Sequence, residues 1–121
     1  ARAEYEQAIT IGNELVKVNA RDFRTIALIA LCEAKLGRRA DAERHAAEAR
    51  AIGPADRETL QRIAEVHARL GHTATALKDL EAAIARGYAR KEARENDELA
   101  PLRKLPAFVA LVAEPRDSTN R

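Results

Sequence analysis

"EAKLGRRADAERHAAEA" (Glu33–Ala49) and "HARLGHTATALKDLEAA" (His67–Ala83) stand 34 residues apart and say nearly the same thing. Aligned without gaps, residues 23–56 and 57–90 share twelve identities. Alanine richness alone would produce some of these matches. The pairs Leu36-Gly37 and Leu70-Gly71, and the later match of Gly53 with Gly87, are harder to obtain by chance. Glycine belongs where a helix ends in a left-handed residue, and these glycines fall between segments of helical apolar period. Each 34-residue unit therefore reads as helix, tight turn at glycine, helix.

Working outward, Asp22 and Asp56 occupy equivalent places just before the first helix of each unit, where a carboxylate accepts from the orphan amides. Ala30, Ala42 and Ala49, with Ala64, Ala76 and Ala83, supply small residues where paired helices must approach closely, so Ala30, Ala42, Ala64 and Ala76 are predicted to be buried. Stepping back one more period aligns Ala8 with Ala42 and Leu15 with Ala49. The stretch "EYEQAITIGNELVKV" (Glu4–Val18) then reads as the second helix of an earlier unit without its first helix. Its apolar residues Ala8, Ile9, Leu15, Val16 and Val18 are expected to leave an exposed stripe, open to self-association. That half unit and the absent initiator Met suggest a piece of a longer chain.

Composition agrees with an all-α core. Only 3% of the 121 residues are aromatic and Trp and Met are absent, which leaves Ala, Leu, Ile and Val to fill the interior. The net charge of +2 is spread along the chain, with no basic stripe of the kind a nucleic-acid surface needs. No apolar run has the length of a membrane span. Cys32 is the only cysteine, so disulfides within the chain and multi-thiolate metal sites are excluded, and a cytoplasmic setting is permitted.

The period and its small-residue grammar resemble the tetratricopeptide repeat. Ala30 and Ala64, Ala42 and Ala76, and Ala49 and Ala83 match its small positions, Pro54 one of its prolines and Tyr5 one of its aromatics. Ile26 and Leu60 stand where the family has an aromatic, and Glu33 and His67 where it has a tyrosine. The resemblance implies a right-handed helix-turn-helix solenoid of about two and a half repeats. The expected divisions are a half repeat over 1–22, repeats over 23–56 and 57–90, a C-terminal cap over 91–113 and a solvated tail over 114–121. Helices are expected near 3–18, 23–36, 40–52, 57–70, 74–86, 97–104 and 106–113. In the cap, Leu99, Leu102, Leu105, Phe108 and Leu111 recur every three residues between prolines. The whole stretch after Gly87 is similar to those closing repeat arrays of some bacterial multidomain signalling proteins, including Ser/Thr kinases and nucleotide cyclases.

What the resemblance implies for function is a non-catalytic module that binds a protein or peptide partner through its concave face. The groove residues carried over are Arg24, Ala27, Leu31 and Lys35 from one first helix and Gln61, Arg62, Glu65 and Arg69 from the next. Either Leu31 is covered by another part of the chain or it is a docking floor. A carboxylate clamp for chaperone tails is not expected, because Ala27, Leu31 and Glu58 replace its polar residues. The alternative is a segment that packs in cis against a kinase or cyclase domain. Neither reading calls for a catalytic residue, a metal or a cofactor. His67 and His72 are five apart and share no chelating helical face, His45 reads as part of a solvated face, and Cys32 reads as a small buried hydrophobe.

Overall fold

The computed structural model describes residues 2–114, and all but the first residue of the tail expected over 114–121 lie outside this range. Among the described residues every regular element is helical. They are α1 (Arg2–Val18), α2 (Phe23–Lys35), α3 (Arg39–Ile52), α4 (Arg57–Leu70), α5 (Thr73–Ala85), α6 (Arg90–Glu95), a 3₁₀ helix (Asp97–Leu102) and α7 (Pro106–Val112).

The repeated local chemistry gives repeated local structure. Asp22 accepts from the Thr25 amide at 3.2 Å and from its hydroxyl at 2.7 Å, and Asp56 accepts from the same two groups of Thr59 at 3.0 and 2.9 Å, so α2 and α4 start on equivalent caps. Gly37 and Gly71 turn the chain at φ 79° and 84°, in the left-handed region that a side chain would disfavour. Gly53 departs from expectation. Its φ is −124°, and glycine is needed there because a Cβ would fall 2.6 Å from the Phe23 ring.

Helices α2 and α3 pair as one hairpin and α4 and α5 as the next, and α2 also touches α1 and α4. With neighbours on three sides, α2 buries nearly every residue from Ile26 to Ala34. Ala30, Ala42, Ala64 and Ala76 are all fully buried, as their places at the helix contacts require. Helix α1 turns Ile9 and Gly12 toward α2, where Ile9 clusters with Ile29 and Cys32 and a Cβ on Gly12 would lie 2.7 Å from Ile29.

The C-terminal part corrects the sequence reading in two ways. Residues 90–95 form the unpredicted helix α6: "RKEARE" shows one apolar residue, Ala93, too few for a visible period, yet Ala93 is buried in the cluster of α4 and α5. The helix expected over 97–104 is a 3₁₀ turn, with Pro101 inside it, that lies on α4. Leu99 and Leu102 drop into the same cluster as Leu60, Ala64, Leu80, Tyr88 and Phe108.

Candidate interaction surfaces

The face of α2 and α4 singled out in the sequence is built in the structure, but the chain itself occupies it. Ala27 is fully buried and Leu31 only 4% exposed, both within the cluster that α2, α3 and α4 share. This corrects the docking-floor reading of Leu31: with α4 alongside, the residue is core. Glu65 is likewise buried and accepts from Gln61 Nε2 at 3.2 Å and from Asn96 Nδ2 at 2.7 Å, while Arg62 lies 3.6 Å from its other oxygen. Asn96 also donates to the Tyr88 hydroxyl at 3.0 Å, so one amide pins the start of the 3₁₀ helix to α4.

Lys35 is engaged as well. Its ammonium pairs with Glu98, lies 3.4 Å from the Tyr5 hydroxyl and stands 5.1 Å over the Tyr5 ring. Burial acts to lower its pKa, and the bonds to Glu98 and Tyr5 outweigh this and hold it above the ordinary value. Arg24, half exposed, grips Asp56 with two nitrogens at 3.0 and 2.7 Å and approaches Glu58 at 3.8 Å. That fork, first among the causes, holds the Asp56 carboxyl down at about 2. Arg69 is exposed. The structure therefore brings Lys35, Gln61, Arg62 and Glu65 together, sends Ala27 and Leu31 into the core, and leaves Arg24 and Arg69 at the rim. Asn96 and Glu98, which the sequence did not single out, fill the space between.

The histidines are more engaged than their sequence suggests. His45 is not on a solvated face: its Nδ1 lies 2.6 Å from the buried Glu33 carboxylate, linking α3 to α2. Burial pushes the Glu33 carboxyl up, and the bond from His45 opposes this. Across the α4–α5 turn, the Nδ1 atoms of His67 and His72 are 2.9 Å apart, although the two share no helical face. Arg39, a donor only, is 3.4 Å from His72 Nε2, which assigns the proton to His72 Nδ1 and makes His67 Nδ1 the acceptor. Burial, the largest cause, lowers the pKa of His67. Cys32 is buried in the α1–α2 contact and burial raises its thiol pKa, the opposite of what a nucleophile needs.

The exposed apolar surface lies at the other end. Ile11, Leu15 and Val18 are 53%, 50% and 89% exposed and recur at helical spacing along one side of α1. The sequence expected Ala8, Ile9, Leu15, Val16 and Val18 on this stripe; the structure keeps Leu15 and Val18, adds Ile11, and takes Ile9, with half-buried Ala8 and Val16, into the α2 contact. Among the described residues no helix is long and apolar enough to cross a membrane. No family model, no curated protein and no solved structure matches this chain.

Proposed function

We propose that this chain is a non-catalytic protein-interaction module built from tetratricopeptide-like helix hairpins, and that its working face is the outer side of α1. The repeat reading is supported by features that recur at the 34-residue period: the capping aspartates, the left-handed glycines and the four buried alanines. The observation that carries the choice of face is the stripe of Ile11, Leu15 and Val18, three of the five exposed large hydrophobic residues of the described chain, on one helix. A peptide entering between α2 and α4 would first have to displace Asn96–Leu102, exposing Leu99 and Leu102, which are now fully buried.

The test is affinity capture with three tagged forms: wild type, Ile11→Glu/Leu15→Glu, and the rim variant Arg24→Glu/Arg69→Glu. Circular dichroism should show the first variant as helical as wild type, since both substituted side chains already face water. Partners held by the wild type should be lost by the α1 variant and kept by the rim variant. The reverse pattern would return the function to the concave face.

A further inference from the structure

The second hairpin holds a pair of imidazoles, and the repeat shows how they came to face one another. One period back, His67, His72 and Asp79 correspond to Glu33, Arg38 and His45. In the first hairpin Glu33 and His45 meet each other, and Arg38 reaches away to Glu6 on α1. In the second hairpin acid and base have changed places, and the acid, Asp79, is held by the two-bond grip of Arg50. His67 makes its contact instead with His72, across the left-handed turn at Gly71. The two Nδ1 atoms stand 2.9 Å apart and the ring centres 5.2 Å apart. One proton, on His72 Nδ1, joins two nitrogens that are each able to ligate a metal.

We propose that His67 and His72 chelate a Zn²⁺ ion through their two Nδ1 atoms, across the turn between α4 and α5. Zinc–imidazole bonds of about 2.05 Å at the tetrahedral angle set the two nitrogens about 3.3 Å apart and the ring centres about 5.2 Å apart. The ring centres already have that separation, and the nitrogens have only to part by about 0.4 Å. Binding leaves His72 neutral: its proton passes through water from Nδ1 to Nε2, and the ion takes the freed lone pair. Nε2 then donates, so the Arg39 guanidinium 3.4 Å away, also only a donor, must swing aside. Arg39 is exposed, and no packing holds it there. The positive charges on this side of the hairpin are matched, Arg39 by Glu43 at 4.0 Å and Arg50 by Asp79, so they do little to repel a dication.

Both rings are half-buried, and the space where a Gly71 side chain would point is open, which leaves room for water on the ion. Among the described residues no third histidine, cysteine or carboxylate completes a larger ligand group. Water therefore fills the remaining positions, and the affinity is that of a two-imidazole chelate. The ion ties the end of α4 to the start of α5 and stabilises that hairpin in proportion to its occupancy. This site is independent of the outer face of α1.

The full chain, free of any polyhistidine tag, is titrated with zinc chloride at neutral pH and followed by calorimetry and by long-range proton–nitrogen NMR of the histidines. One ion per chain is expected, with a Kd on the order of 10 µM. The His72 ring should pass from the Nδ1–H to the Nε2–H form as zinc is added. His67→Gln and His72→Gln, checked for helicity by circular dichroism, should each weaken binding at least tenfold, and His45→Gln should not. Arg39→Gln, whose amide oxygen can accept from the new Nε2–H, should tighten it about threefold. Binding unchanged in either the His67 or the His72 variant overturns the proposal, as do histidine spectra that stay fixed up to about 1 mM zinc or that respond only at His45. Half an ion per chain also overturns it, because the ion then belongs to two copies.

Discussion

At the scale of single residues, two glycines, one in the turn inside a hairpin and one in the loop between hairpins, do different work, and substitution separates them. Gly71 ends α4 with φ at 84° and nothing near its missing side chain, so Gly71→Ala meets only the backbone penalty, about 1 kcal/mol. Gly53→Ala meets no such penalty but drives a methyl into the Phe23 ring, and a rigid aromatic at the base of α2 must move; about 1 to 3 kcal/mol is expected. Urea unfolding of the two variants checks the order. The His67–His72 contact gives a pH signature. Because burial depresses the His67 pKa below its ordinary 6.5, the unfolded chain binds this proton more readily, and the contribution is complete above pH 6.5 and lost as pH falls below it. His67→Leu should flatten the stability profile in that window, measured by thermal melts between pH 5 and 7.5. An unchanged profile would place the acid sensitivity elsewhere. The left-handed turn at Gly71 was visible in the sequence and the histidine contacts were not: His45 and Glu33 are twelve residues apart, and their pairing depends on the hairpin that brings α3 back onto α2.

At the scale of elements, the five long helices were legible because each carries its own stop signals and an apolar face with a helical period. Helix α6 was not, since it is held by one alanine and by its neighbours. Its Arg94 donates to the carbonyl of Val112 and pairs with Glu114, so α6 and α7 support one another. The close-packed seam between α4 and α5 can be tested directly. Ala76 is fully buried there, and Ala76→Leu should destabilise by about 1 to 3 kcal/mol. Ala85, on the same helix but exposed, should accept leucine within about 0.5 kcal/mol. Equal melting shifts for the two would mean that the hairpin seam is not where the burial pattern puts it.

At the scale of the whole molecule, the hairpins are tied by ion pairs as well as by packing. Arg24 of α2 holds the cap of α4, and Arg50 of α3 holds the buried Asp79 of α5 through two bonds of 2.5 and 2.7 Å. The groove was half legible. Its walls followed from the repeat, whereas its contents did not, because Leu99 and Leu102 recur at a spacing that signals an apolar face without saying what that face covers. Leu99→Ala should cost about 2 to 5 kcal/mol, a large part of a typical domain's stability, and should loosen the Lys35–Glu98 and Asn96–Glu65 links together. Amide exchange that accelerates in α6 and the 3₁₀ helix but not in α2 and α3 would show this. Uniform acceleration would show that the C-terminal part is not a separable lid but one cooperative body with the hairpins.

The seat of the 3₁₀ helix on α4 also orders events in time. Nearly every other helix contact joins elements adjacent or next to adjacent in the chain, so most of the molecule can assemble through short loop closures, whereas Asp97–Leu102 must return across α5 and α6 to reach Glu65, and Glu98 must find Lys35. In a chevron experiment, Leu99→Ala should therefore speed unfolding with little effect on the folding rate, while Ala76→Leu, at a contact between neighbours, should slow folding. That outcome would make the segment that seals the groove the last to arrive, with the hairpins passing through a short-lived form in which the face between α2 and α4 is open to water.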